Sequence, residues 1–241
     1  MKNPGETPLL VTFDLFDTIL RDNDAGRGHQ RRRESLDRLF SQAGIGEFDA
    51  GAVDRAYQAA ELYAARFSYR TGRQVTIPQF VTTIVAALGG ACSPETIAAA
   101  TVEVQEASTV EAIEFAEPII NQIRQLSKAD VQLGIVSNNF FHAPSYLLEL
   151  LEGEGILGYF SVDAIAFSST EGVTKPNPEI FLRVCSRTGV PPERVLHVGD
   201  SRDTDYRGAE AAGLRCVLVD PWAGEAAEKI LREAFSWTAV N

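Results

Sequence analysis

The chain has 241 residues, of which 45% are hydrophobic and 23% charged, and carries a formal net charge of −11 at pH 7. That length suits one large core, or a core with a smaller inserted domain, and the composition excludes a largely disordered chain. The negative balance offers no general attraction for nucleic acid or an anionic membrane, and no run approaches the roughly 20 apolar residues of a membrane span.

In chain order, LLVTF at 9–13 reads as a buried parallel strand that delivers the following acids from its carboxyl end. The N-terminal MKNPGETPLL has no long apolar stretch, so an unexported protein is expected. RDNDAGRG at 21–28 breaks the pattern and reads as a linker. RGHQRRR at 27–33 is a local basic patch, either a solvated helix start or a place to hold an anion. From about 29 to 115 apolar residues recur at helical spacing, as in Leu36, Leu39 and Phe40, then Ala56, Ala59, Ala60, Tyr63 and Phe67, then Phe80, Ile84 and Leu88. Breaks at AGIG, RTGRQVTIP and LGGACSPE divide the block into about four helices, with Ser93 and Pro94 as N-cap and first helical position.

After Pro118 helices alternate with the strands VQLGIVS, VDAIAFS, RVLHVGD and LRCVLVD. With LLVTF these make five strands, and the alternation implies a parallel sheet that binds ligands beyond its carboxyl ends. The expected fold is α/β: a Rossmann-like five-stranded core from residues 1–24 and 117–241, with an all-helical insertion at 25–116 placed over the active edge. The amphipathic AAEKILREAFSW near the C-terminus packs on its own core or on a second subunit, leaving monomer and homodimer open. Cys92, Cys185 and Cys216 are widely spaced, which suggests neither a zinc site nor a disulfide framework and fits reducing cytoplasm.

Four short sequences fall at strand ends or just after them: FDLFDT (13–18), VSNN (136–139), TKPNP (174–178) and VGDSRDTD (198–205). Taken in that order they resemble the motifs of the haloacid dehalogenase (HAD) superfamily, and the helical insertion looks like its C1 type of cap. The resemblance implies that Asp14 is a nucleophile able to form an aspartyl phosphate. It implies that the Ser137 hydroxyl and nearby amides hold phosphoryl oxygens, and that Lys175 supplies a fixed positive charge. It implies Mg²⁺ held by Asp14, the Phe16 backbone carbonyl and Asp200, with Asp205 acting from behind these ligands. Thr18 is expected to fix the first loop.

Phe16 departs from the phosphatase pattern. Phosphatase members carry an aspartate there that protonates the leaving oxygen and activates water, and a phenyl ring does neither. Asp17 reads as capping the following turn, or as a substitute brought in by loop geometry. Asn138 and Asn139 bind substrate or simply shape their loop. His29, Arg33, Arg66, Tyr69 and Arg70 are candidate handles for a substrate anion. His197 reads as a satisfied core histidine and Asp203 as solvent-facing.

The function expected is a Mg²⁺-dependent phosphatase of a small phosphorylated metabolite, with no nucleic-acid or membrane partner. Two alternatives stand beside it. One is a 2-haloacid dehalogenase, because dehalogenating members carry an aromatic residue at the position of Phe16, although GDSRDTD argues against it. The other is a catalytically weak phosphometabolite-binding protein.

Overall fold

The computed structural model describes residues 9–23, 27–45, 49, 51–109, 112–222, 230 and 232–234. Among them the strands are β1 (Leu10–Phe13), β2 (Leu20–Asp22), β3 (Ile113–Phe115), β4 (Gln132–Ser137), β5 (Ile165–Phe167), β6 (Val195–Gly199) and β7 (Arg215–Leu218). The α-helices are α1 (Arg27–Gln42), α2 (Ala52–Thr71), α3 (Ile77–Ala87), α4 (Pro94–Glu106), α5 (Glu117–Leu126), α6 (Pro144–Gly153), α7 (Ser168–Glu171), α8 (Glu179–Thr188) and α9 (Arg207–Ala211).

The five strands read from the sequence form one parallel sheet in the order β5-β4-β1-β6-β7, a Rossmann-like α/β core. β1 lies at its centre, and all four of its residues are buried, as expected of a strand covered on both faces. Its side chains alternate between two apolar clusters. Val11 and Phe13 join Ile119, Ile120 and Ile123 of α5, whereas Leu10 joins Ile180, Phe181 and Val184 of α8. Every strand therefore delivers its carboxyl end to one edge, where Asp14, Ser137 and Asp200 emerge.

The sequence reading missed a second, two-stranded sheet. β2 pairs antiparallel with β3, Leu20 opposite Phe115 and Asp22 opposite Ile113. The presumed linker at 21–28 therefore starts as a strand, and the block at 25–116 is not wholly helical because it contains β3. Three residues are too few for a period-2 pattern to show. The ribbon is held by a buried Leu20 and by Arg21, whose Nε donates to Glu114 Oε2 at 2.9 Å.

Between these two strands, α1 to α4 close around their own apolar cluster, with Leu36, Phe40, Tyr57, Ala60, Phe80, Ile84, Ala100 and Val104 at its centre. Thr76 and Gln79 form a reciprocal cap at the start of α3. Ser93 caps α4 by accepting from the Thr96 N–H, with Pro94 at its first position. Phe140 and Phe141, on the segment after β4, pack into this cluster: the Phe140 ring centroid lies 5.5 Å from that of Phe80, and Phe141 stacks on Tyr57 at 6.5 Å. The helices are thereby seated over the carboxyl edge of the sheet.

Of the C-terminal amphipathic stretch, Ile230 and Ala234 are buried in the β1–α5 cluster and Arg215 Nη2 lies 3.0 Å from Glu233 Oε2, so its described part packs on its own chain. The rest of that stretch, like residues 1–8, lies outside the described residues. No helix among the described residues is long and apolar enough to cross a membrane.

Candidate active site

Asp14 continues β1 by one residue, its N–H donating to Val198 O at 2.8 Å. Its Oδ1 accepts from the Leu15 N–H at 2.7 Å and lies 2.7 Å from Lys175 Nζ. The loop that follows is tied tightly, with Leu20 N–H donating to Leu15 O at 3.0 Å and Asp17 N–H to Leu20 O at 2.7 Å. These two bonds bracket Phe16 and leave its carbonyl outside the pair. Asp17 takes a left-handed conformation with φ 56° and is exposed. Its backbone makes the turn's bond, and it stays outside the cluster in which oxygens of Asp14, Asp200 and Asp205 lie within 4.8 Å of one another. The Thr18 hydroxyl donates to Asp200 Oδ1 at 3.4 Å, tying the first loop to the fourth.

Lys175 is only 3% exposed and reaches 2.6 Å from Asp205 Oδ1 as well as 2.7 Å from Asp14. Its backbone is gripped by Asn138, whose Oδ1 accepts from the Lys175 N–H at 2.9 Å while Nδ2 donates to its carbonyl at 3.1 Å. Asp205 is fully buried, with Oδ2 accepting from the Ser201 N–H at 3.0 Å and Oδ1 3.2 Å from His197 Nε2. The other ring nitrogen of His197 is 2.9 Å from the Thr12 hydroxyl. His197 is thus a satisfied core histidine, as read, but one that orients Asp205. Gly199 has no alternative, because a Cβ there would collide with the Asp205 side chain.

Three carboxylates face one ammonium here. Burial drives the Asp14 carboxyl up to about 6, with Lys175 opposing and Asp205 adding to the rise. Asp200, although exposed at the surface, is also raised, by partial desolvation and then by the Asp205 charge. Burial would likewise raise Asp205, but Lys175 and His197 outweigh it and hold that carboxyl well below the usual range. Lys175 in turn loses from burial and gains more from Asp14 and Asp205, so its pKa rises. The excess negative charge and oxygen-only donors of the Asp14, Asp200 and Asp205 cluster fit a hard divalent cation. Asp205, committed to Lys175, His197 and Ser201, fits a supporting place.

Ser137 ends β4. The register that sets Phe13 beside Ile135 brings this end next to Asp14. Its hydroxyl is completely buried and has no hydrogen-bond partner among the described residues. A buried donor without a partner is costly unless a ligand supplies one. The two asparagines that follow spend their side chains on protein. Asn138 holds Lys175, while Asn139 Nδ2 donates to His142 O and Ser169 Oγ, both at 2.8 Å, and Asn139 Oδ1 accepts from the Ser169 N–H at 3.0 Å. Both shape the loop, the second of the two readings given above.

The expected arginine handles point elsewhere. Arg33 pairs with Asp54 on α2, and Arg66 is exposed on an outward groove of α2 with Leu62, Tyr63 and Arg70. Tyr69 is 72% exposed, and His29 Nδ1 lies 3.2 Å from Glu61 Oε1. The inward arginine is Arg32, one residue from the one named. It is 9% exposed, donates from Nε to the Tyr57 hydroxyl at 2.7 Å, and lies 4.0 Å above the Phe141 ring. Helical phase explains the miss: Gly28, Arg32, Leu36 and Phe40 share one buried stripe of α1, and Arg33 is a step off it. The basic patch at 27–33 is therefore only partly solvated. A second unforeseen residue is His142, whose ring centroid lies 4.8 Å from that of Phe16. Burial, helped by the Arg32 charge, lowers its pKa to about 4, so it is neutral at pH 7.

Comparison with known proteins agrees with this geometry. The description of the haloacid dehalogenase-like hydrolases matches residues 9–213, and the chain belongs to that family and is a hydrolase. It is 30% identical to a glyceraldehyde 3-phosphate phosphatase of Methanopyrus kandleri over 87% of this chain and 82% of that one. It is 27% identical to a phosphoserine phosphatase of Thermus thermophilus, over 88% of each chain. A 2-haloacid dehalogenase structure from Pseudomonas syringae pv. Tomato superposes with a TM-score of 0.59 at 23% identity, covering 90% of this chain and 88% of that one, a likeness of fold.

Proposed function

We propose that this chain is a Mg²⁺-dependent phosphatase of a small phosphorylated metabolite, with Asp14 as nucleophile. The observation that carries the reading is the Ser137 hydroxyl, without a partner among the described residues and buried at the strand end next to the Asp14–Lys175 pair. An anionic oxygen placed there would satisfy it, and Lys175 would offset the repulsion between that anion and Asp14. The names of the two relatives, both phosphatases, support the same class.

In this mechanism the Asp14 carboxylate attacks phosphorus, forming a bond as the ester oxygen departs with its electron pair, and gives an aspartyl phosphate. Ser137 and neighbouring loop amides stabilise the charge on the phosphoryl oxygens. Water then attacks the phosphorus of the aspartyl phosphate, releasing phosphate and restoring Asp14. A bound Mg²⁺ would neutralise charge on the transferred group. Phe16 supplies no proton, so leaving groups stable as anions, such as acyl or aryl phosphates, react faster than alkyl phosphates. The α1–α4 block serves as a cap of the C1 type, the partner is a small molecule and not a nucleic acid or membrane, and the setting is cytoplasmic.

Retention of both Asp200 and Asp205 weighs against dehalogenation, which needs no metal at carbon. The test is phosphate release from a panel of phosphorylated metabolites with Mg²⁺ or EDTA, in wild type and Asp14→Asn. Metal-dependent release lost in Asp14→Asn is expected. Silence across the panel, together with tight ligand binding, would favour the weakly catalytic binding protein.

A further inference from the structure

The KPNP motif contains Asn177, to which sequence reading gave no role, and opposite it the turn between α2 and α3 does something other than join two helices. Gly72 ends α2 in a left-handed conformation, φ 65°. Its carbonyl accepts from the Thr174 N–H at 3.0 Å and from Asn177 Nδ2 at 3.2 Å. Gln74 N–H donates to Gly172 O at 3.1 Å, and Arg73 faces Val173 as an isolated antiparallel bridge. The helical block thus adds a short piece of sheet to the very segment that leads into Lys175. Asn177 extends the tie, its Oδ1 accepting from the Glu179 N–H at 3.0 Å at the start of α8.

We infer that Gly72 and Asn177 are positioning residues: they clip the α2–α3 turn to the 172–177 segment, so that seating of the helical block and placement of Lys175 are one event. Lys175 is held from the sheet side by Asn138 and from the helical side through its neighbour Thr174. An ammonium that must lie within hydrogen-bond reach of both Asp14 and Asp205 tolerates little drift in the backbone carrying it. When the block lifts to admit substrate, the bonds at Gly72 and Gly172 break and the backbone beside Lys175 loses its anchor on the helical side. When the block closes, they re-form and the charge returns to Asp14. The clip demands glycine twice over. The backbone is left-handed, and a Cβ at residue 72 would stand 2.6 Å from Asn177 Nδ2 and 2.8 Å from Asn177 Cβ.

This inference rests on the catalytic role proposed for Lys175, and the experiment separates the two. Steady-state hydrolysis of p-nitrophenyl phosphate with Mg²⁺ is compared in wild type, Gly72→Ala, Asn177→Ala and the double variant, alongside amide hydrogen exchange at Gln74 and Thr174. Gly72→Ala is expected to lower kcat about tenfold or more with little change in KM. The double variant keeps a Cβ at residue 177, 2.8 Å from the new one, keeps the left-handed strain and gives up the Asn177 bond, so it is expected to recover none of the loss. The Gln74 and Thr174 amides should lose protection together in Gly72→Ala, and inorganic phosphate with Mg²⁺ should slow exchange at both in wild type. A Gly72→Ala enzyme with wild-type kcat, or phosphate that protects Thr174 and leaves Gln74 unchanged, would overturn the coupling. If the wild type releases no phosphate at all, the phosphatase reading fails while the exchange data still decide the clip.

Discussion

The ring of Phe16 lies against the ring of His142, 4.8 Å between centroids and tilted by 38°. On the phosphatase reading proposed above, an aromatic contact therefore stands where the resemblance to the superfamily leads one to expect an acid. His142 is neutral at pH 7, pushed down by burial and by Arg32, and so brings no proton to a leaving group there.

Restoring the acid should restore the proton. Phe16→Asp is expected to raise kcat/KM for alkyl phosphomonoesters by about 100-fold or more, the low end of what general acid-base catalysis contributes. Acyl phosphates, which leave without protonation, should gain far less. Initial rates across both classes decide the matter, and an equal gain for both would show that Phe16 acts by shape alone.

Ser137→Ala separates function from stability. The hydroxyl has no partner among the described residues, so its removal should leave the melting temperature unchanged or slightly higher. Phosphate release should nevertheless fall by about 100-fold, the scale of one lost donor to a developing charge. A large drop in melting temperature with activity retained would contradict the assignment.

The metal-free protein should be stabilised by Asp14→Asn. Burial raises the Asp14 carboxyl from 3.8 to about 6. The folded state therefore holds its proton longer than the unfolded chain, and stability is lost as pH rises from about 4 through 6. At pH 7 without divalent ions the variant should melt a few degrees above wild type, and the rise produced by added Mg²⁺ should shrink. Scanning calorimetry in EDTA and in Mg²⁺ reads both effects, and a variant that melts below wild type in EDTA would count against them.

His142 tilts stability in the opposite direction. Its pKa falls from 6.5 to about 4, so the unfolded chain takes up a proton over a range in which the folded protein does not. Stability present above pH 6.5 is lost as pH falls toward 4, at most about 3 kcal/mol for one group. Because Asp14 opposes it over much of that window, the effect is best measured in the Asp14→Asn background, where His142→Gln should flatten the acid side of the stability curve. An unchanged acid slope would show that His142 is not the group responsible.

The strands and their carboxyl-end residues were legible because a buried parallel strand is a short apolar run and a catalytic loop interrupts it with acids, hydroxyls and glycine. Asp14, Ser137 and Asp200 emerge along one edge directly after such runs, whereas Lys175 and Asp205 were picked out by the resemblance to the superfamily's motifs and lie within reach of that edge. The substrate-side residues were not legible in the same way. Arg32 and Arg33 differ only in helical phase, which a run of three arginines hides until Leu36 and Phe40 fix the buried stripe. Arg66 was misplaced for the same reason, since Ala60 and Ala64 define the buried side of α2. His142 carries no signal beyond following two phenylalanines, and its meeting with Phe16 depends on how the β4 loop folds back over β1. The β2–β3 ribbon escaped because its pairing links residues on either side of four helices.

That ribbon has a consequence for how such a protein can change. Because Leu20 and Phe115 stand directly opposite each other, the polypeptide departs from the sheet and comes back at a single point, like a thread drawn out and returned through one eyelet. The strand order never depends on what is threaded between, so one helical module can be exchanged for another while Asp14 keeps its place, provided the new module brings a turn that docks beside Lys175 as Gly72 does. Novelty in what the enzyme accepts is thereby free to accumulate on one side of the eyelet, so long as the turn that reaches across to the Lys175 segment is kept.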